Sequence, residues 1–251
     1  MSMNEFWSCF HELYETLPRQ GPGDRESTER ALRLLPPLTA GQHLLDIGCG
    51  SGAQTLDLAR ATEARIVAVD NHPPFVAAVT RRAAELGLGE RITAQVADMG
   101  ALPFPDGSFD VVWSEGAIFI LGFTEGLTRW RRLLAPGGYL VVSEYCWLQE
   151  NPAAELREFL GGDEADVGDV AARRAAIAAC GYRLVADFLL PERGWWENYY
   201  EPLARGLESF RASHGDNPVA TEVAARSERE IELHRRHAGA FGYSYFVMTR
   251  A

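Results

Sequence analysis

Apolar residues recur at helical spacing near the start of the chain, at Phe6, Phe10, Leu13 and Leu17. They predict a helix over 5–17 that Pro18 stops. The Gln20-Gly21-Pro22-Gly23 turn follows, then a helix over 26–35 that ends before Pro36-Pro37. From there the pattern switches between short apolar runs and amphipathic stretches. Runs at 43–47, 65–69, 92–96, 109–113, 139–144 and 182–190 read as strands. Helical stretches start at Gly52 (Leu56 and Ala59 inward), at Pro73-Pro74 (Phe75, Val79 and Leu86 inward) and before Pro136 (Leu127, Trp130 and Leu134 inward). Another runs from Val170 to Cys180, and the segment 148–166 reads as loose. A seventh run, 243–249, alternates and is rich in aromatic and β-branched residues, which suits an antiparallel strand. Before it, residues 195–239 read as two helices, the second very polar, with possible i,i+4 pairs Glu222–Arg226 and Glu232–Arg236. Strands separated by helices imply βαβ units, so the expected class is α/β: a doubly wound, mostly parallel seven-stranded sheet with a helical cap.

Charge narrows the function classes. The formal net charge of −11 would repel a polyanion, so a nucleic-acid partner is not expected. No apolar run approaches the roughly 20 residues needed to cross a bilayer. The N-terminus lacks a basic stretch followed by an apolar one, so the expected location is the cytoplasm. Cys9, Cys49, Cys146 and Cys180 form no CxxC, which argues against a thiolate metal site and against a disulfide framework.

The most informative stretch is Leu44-Leu-Asp-Ile-Gly-Cys-Gly-Ser-Gly-Ala53, a strand-to-helix turn through Gly48, Gly50 and Gly52. Glycine suits a sharp bend that a ligand approaches closely. Alone the run is ambiguous, because with Ala53 it also satisfies G-x-G-x-x-G/A and Asp70 stands where a dinucleotide fold keeps its ribose acid. Three carboxylates tilt the balance toward a cationic ligand rather than a pyrophosphate. Asp46 lies two residues before Gly48, Asp98 follows the third strand in Ala97-Asp98-Met99, and Glu115 closes the fourth in Trp113-Ser-Glu-Gly116.

Leu-Asp-Ile-Gly-Cys-Gly-Ser-Gly, Val-Asp at 69–70, Ala-Asp-Met at 97–99, Phe-Asp-Val-Val at 109–112 and Pro-Gly-Gly-Tyr-Leu at 136–140 together resemble the successive motifs of class I S-adenosylmethionine-dependent methyltransferases. The resemblance covers residues 40–145, in the family's order and spacing. The flanks, Leu-Pro-Arg-Gln-Gly-Pro-Gly at 17–23, Trp-Ser-Glu-Gly-Ala-Ile at 113–118 and the aromatic region near Trp195, are similar to a narrower group of bacterial small-molecule methyltransferases of the type 11, ubiquinone/menaquinone C-methyltransferase-like kind. The resemblance implies a Rossmann-like sheet with an antiparallel last strand and S-adenosylmethionine as cofactor. It also implies an organisation of N-terminal helical lid (1–38), cofactor-binding core (39–194), helical cap (195–240) and final strand (241–251). Carried over residue by residue, Gly48, Gly50 and the Cys49 backbone would line the methionine part and Asp70 would accept both ribose hydroxyls. Asp98 would take the adenine amine, and the Met99 backbone the neighbouring ring nitrogen. Asn71 departs from the pattern, since an apolar residue commonly packs on adenine there.

Methyl transfer needs alignment of the acceptor, and a base if that acceptor must lose a proton. Glu115 and His11 are the candidates, and Glu115 could equally hold the cofactor's amino group. His72 reads as a helix-start residue, Cys146 as packing, and His234 with His237 lacks a third metal ligand, so no metal is expected. Arg19 and Gly21, in a turn before a helix, could grip the cofactor's carboxylate. Trp195, Trp196, Tyr199 and Tyr200 form the densest aromatic cluster. It reads either as an anchor for the cap or, with Tyr145 and Trp147, as the pocket of a small-molecule substrate. An NAD-dependent oxidoreductase and a non-catalytic S-adenosylmethionine-binding protein are the rival functions. The oligomeric state, a homodimer included, stays open, as does the acceptor atom.

Overall fold

The computed structural model describes residues 3–161 and 166–250. Seven strands form one sheet: β1 (His43–Ile47), β2 (Arg65–Asp70), β3 (Ile92–Val96), β4 (Phe109–Glu115), β5 (Leu134–Trp147), β6 (Tyr182–Leu189) and β7 (Phe241–Arg250), in the order β3-β2-β1-β4-β5-β7-β6. β1 to β5 pair in parallel, and β7 runs antiparallel between β5 and β6. Alternate side chains serve opposite faces. Leu44, Val111 and Trp113 join one apolar layer, and Leu45, Val112 and Leu140 the other. The chain order reverses between β1 and β4, and the crevice beyond the carboxyl ends of an open α/β sheet at that reversal is where ligands bind.

Before the sheet lie α1 (Met3–Glu15) and α2 (Arg25–Leu32). Asp24 caps α2 by accepting the Ser27 N–H, 2.7 Å. α3 (Ala53–Ala61) and α4 (Pro73–Glu85) follow the first two strands. α5 (Phe123–Trp130), α6 (Ala154–Phe159) and α7 (Val170–Ala179) come later. Between β6 and β7 stand α8 (Glu192–Trp195), a π turn at Trp196–Tyr200, α9 (Glu201–His214) and α10 (Pro218–Arg236).

The differences from the periodicity reading have local causes. The helix before Pro136 ends at Trp130, because Leu134 already pairs with Phe109 across the sheet. The register then shifts, so β5 begins five residues earlier than its apolar run suggests. Leu86 is exposed, since it sits past the end of α4, and Ala83 takes the inward place. The stretch expected to be loose contains α6, which buries Leu156. Arg236 does pair with Glu232, whereas Arg226 lies over the Phe159 ring, 5.3 Å from its centroid.

Candidate functional site

The glycine turn spends its amides inside the chain. Gly48 and Cys49 both donate to the Val69 carbonyl, at 2.9 and 3.0 Å. Gly50 donates to Asp70 Oδ2 (2.9 Å), Ser51 to Gln20 Oε1 (2.7 Å) and Gly52 to the Cys49 carbonyl (2.9 Å). Five consecutive N–H groups are thus satisfied. The turn has positive φ at Gly48, Gly50 and Gly52, which only glycine adopts without strain. A Cβ at Gly48 would stand 2.5 Å from that of Ala117, and one at Gly50 2.4 Å from Gln20 Oε1. A phosphate-binding turn needs such amides free. This one has no N–H from 48 to 52 to spare.

Two carboxylates stand at the neighbouring strand ends. Asp70 is the last residue of β2, and each of its oxygens accepts one backbone N–H, from Gly50 and from His72, both at 2.9 Å. A carboxylate oxygen has a second lone pair, so Asp70 can still accept from a vicinal diol. Asp98 is exposed, two residues beyond β3, and shaped by the Gly100 N–H at 2.8 Å. The Ala97 N–H donates to the Asp70 carbonyl (3.0 Å) and the Trp130 indole N–H to the Met99 carbonyl (3.0 Å), so the 97–99 loop is tied at both ends. Asn71 is exposed beside Asp70.

Asp46, which its place in the sequence suits both to holding the loop and to facing an amino group, does the first. It is fully buried, accepting from the Thr55 hydroxyl (2.6 Å) and from Gln54 (3.4 Å), and so fastens the turn to α3. Burial pushes its carboxyl up to about 7 against the pull of the Thr55 hydrogen bond.

Glu115 is likewise committed. Arg19 donates to Oε2 in a buried ion pair, while Thr28 (2.8 Å) and the Trp113 indole (2.9 Å) donate to Oε1. Buried and held by three donors of the chain itself, Glu115 fastens the 17–23 turn to β4. The pair explains Arg19 too: its guanidinium docks the 17–23 turn on the tip of β4, packed where a Cβ on Gly23 would fall. Gln20, which the sequence reading left without a role, completes the docking. Its amide N–H group donates to the Tyr14 and Leu17 carbonyls (3.1 and 3.2 Å), while its oxygen takes the Ser51 N–H. Around Gly21, an added Cβ would meet nothing within 4 Å.

His11 stacks on His72 with ring centroids 4.0 Å apart, and His72 Nε2 lies 2.6 Å from Glu15. The contact fastens α1 beside the Asp70 loop. Burial, then the neighbouring His72, lowers the pKa of His11. His234 and His237 face different glutamates, Glu192 (3.1 Å) and Glu155 (2.7 Å), and no group of three metal-ligating residues occurs among the described residues.

Beyond the glycine turn the rings gather. Tyr243 comes within 3.0 Å of where a Cβ of Gly116 would stand. Tyr145 lies 4.5 Å from Tyr243 and 5.9 Å from Trp195, and Trp195 lies 5.8 Å from Tyr200. Tyr14 of α1 bonds Tyr199 across the interface, oxygen to oxygen 3.0 Å. Trp196 flanks Tyr200 at 5.4 Å, and Trp147 ends β5 opposite Phe241. The cluster anchors the cap, through the Tyr14–Tyr199 contact and the ring packing of Trp195 and Tyr200 on one another.

Glu144, next to Tyr145 on β5, is almost fully buried, 3.8 Å from Arg173, with Oε2 unpartnered. Burial raises its carboxyl to about 8. Asp46 and Glu144 therefore bind protons more tightly folded than unfolded, and stability falls as pH rises through 7 to 8. Glu144→Gln is expected to flatten the decline in melting temperature between pH 6 and 8.5. Scanning calorimetry giving parallel curves for variant and parent would refute this.

Order and register of the sheet define a class I methyltransferase fold, with the Asp70 and Asp98 carboxylates and the inward-turned amides at one edge. Residues 44–138 match the family model described as a methyltransferase domain. Phosphoethanolamine N-methyltransferase 1 of Arabidopsis thaliana is 30% identical over 199 residues, covering 78% of this chain and 39% of that protein. The 27-O-demethylrifamycin SV methyltransferase of Amycolatopsis mediterranei is 33% identical over 124 residues, 47% of this chain and 43% of that protein. This chain thus spans less than half the length of these curated relatives. The S-adenosylmethionine-dependent methyltransferase of Geobacter sulfurreducens, solved with S-adenosyl-L-homocysteine, superposes with TM-score 0.83 at 24% identity over 97% of this chain and 98% of its own. Residues 44–138 thus carry the pattern of a methyltransferase domain, on a fold shared with an S-adenosylmethionine-dependent methyltransferase.

Proposed function

We propose that this protein transfers the methyl group of S-adenosylmethionine to a small-molecule acceptor held between the glycine turn and the 195–240 cap. The observation that carries the reading is the run of five satisfied amides from Gly48 to Gly52, next to the Asp70 and Asp98 carboxylates. That edge offers acceptors rather than donors, which suits a sulfonium nucleoside and not a pyrophosphate. In this reading Asp70 accepts the ribose hydroxyls, Asp98 and the Met99 amide take the adenine edge, and Asn71 borders the ring. Gly48, Gly50 and the Cys49 backbone line the methionine chain. Asp46 fixes the turn, while Arg19 and Gly21 bring the docked lid segment to the methionine end. The sulfonium supplies an already activated methyl group. The chain's work is orientation and exclusion of water, with lid residues 1–38 and cap closing over the site.

The relatives' names carry both N- and O-acceptors, so they leave the acceptor atom open. A net charge of −11 supports a small acceptor over a nucleic acid. The four free cysteines fit a reducing cytoplasm, and no helix among the described residues is long and apolar enough to cross a membrane. Titration calorimetry tests the reading: S-adenosylhomocysteine should bind in the micromolar range and NADH should give no heat. NADH binding with the sulfonium product silent would overturn it.

A further inference from the structure

Glu230, on the inner face of α10, makes no ion pair among the described residues, and the charge of Arg226, four positions before it, only partly offsets the effect of its burial. Tyr199 and Tyr200 both donate to its Oε1 at 3.3 Å, and no donor reaches Oε2 among the described residues. The residue is partly buried, and no ion pair joins it to an arginine or histidine among the described residues. Two long phenol contacts to one oxygen are thin compensation for a desolvated charge. The surroundings are aromatic: the buried phenols of Tyr14, Tyr145, Tyr199, Tyr200 and Tyr243 all feel the Glu230 charge, which raises their pKa values after burial itself. One helical turn on, His234 stacks on Trp195 with centroids 4.5 Å apart, and its buried Nδ1 has no partner.

The cluster is continuous with the cofactor crevice. Gly48 abuts Ala117, Gly116 abuts Tyr243, and Tyr145, Trp195 and Tyr200 lead on to Glu230. A carboxylate with no ion pair, set in an aromatic cluster that reaches it through two phenol hydroxyls, is complementary to an organic cation. We propose that Glu230 is the acceptor-binding residue of this site and that the acceptor is a small amine, taken up as its ammonium ion. The inference rests on the methyltransferase reading above and deepens it. Glu230 also serves the chemistry. The ammonium N–H passes its proton to the carboxylate, the freed nitrogen lone pair forms the N–C bond, and the electron pair of the breaking C–S bond returns to sulfur. The proton then leaves Glu230 for water. Burial holds the Glu230 carboxyl at about 7, a value suited to that exchange.

The test uses the whole protein saturated with S-adenosylhomocysteine and two isosteric probes, choline and its neutral carbon analogue 3,3-dimethyl-1-butanol. Choline should bind at least tenfold tighter than the neutral analogue. Glu230→Gln should erase that preference while leaving S-adenosylhomocysteine affinity and the circular dichroism spectrum unchanged, and Glu230→Asp should restore part of it. Equal binding of the two probes, no binding of choline, or an undiminished preference in Glu230→Gln would overturn the amine assignment while the methyltransferase reading stands. Failure of S-adenosylhomocysteine itself to bind the parent protein would remove both.

Discussion

Asp70→Ala should weaken S-adenosylhomocysteine binding by a hundredfold or more, equivalent to about 2.7 kcal/mol or greater. The carboxylate has two jobs at once. Its inner lone pairs hold the Gly50 and His72 amides, both at 2.9 Å, and so fix the spacing between the glycine turn and the start of α4. In our reading its outer lone pairs accept two ribose hydroxyls, each a hydrogen bond to a charged group worth roughly 1.5–3 kcal/mol. Asp70→Asn separates the jobs. The amide keeps one acceptor oxygen but turns the other into a donor, which clashes with a backbone N–H and removes the charge. It should therefore bind nearly as poorly as the alanine variant. Titration calorimetry at fixed pH measures both, and affinity within threefold of the parent would show that the ribose lies elsewhere.

Arg19→Ala should be the most destabilising single change among the site residues, costing about 3–5 kcal/mol. Both members of the Arg19–Glu115 pair are nearly inaccessible, with side-chain exposure of 9% and 1%. Removing the guanidinium leaves Glu115 buried without its cation, although the Thr28 hydroxyl and the Trp113 indole still donate to it. The lid turn also loses its anchor on β4. For a domain of this size the loss corresponds to a fall in melting temperature of roughly 10 °C. Arg19→Met with Glu115→Leu, which removes both charges, should recover much of it, because an apolar pair avoids the desolvation cost. A melting temperature for Arg19→Ala within 2 °C of the parent would mean that water already reaches this pair.

Residues whose meaning is local could be read directly from the chain. The glycine turn, Asp70 and Asp98 each follow a strand recognisable from its apolar run, so their place at one sheet edge follows from alternation and parallel pairing. Residues whose meaning depends on a distant partner could not. Glu115 looked like an available base because its partners Arg19 and Thr28 are 96 and 87 positions away in sequence. Gln20 was legible only as part of its turn and not by its task, since its target is the Ser51 amide. Glu230 left a trace: Val223, Ser227, Glu230 and His234 share a helical stripe, and a carboxylate in an otherwise inward-facing stripe marks a buried charge. The polar look of α10 hid it.

By itself, then, the sequence determined the alternation of strands and helices, the bend after β1 and the acids at the strand ends, because these rest on periodicity and on contacts between near neighbours. Only the tertiary structure decided which of those acids remain open to a ligand. Folding brings Thr55, Arg19 and the inward-turned amides against them, and desolvation closes Asp46 and Glu115 while leaving Asp70 and Asp98 at the rim. Availability of a charge is a property of everything packed around it, and that is settled only once the chain has closed on itself.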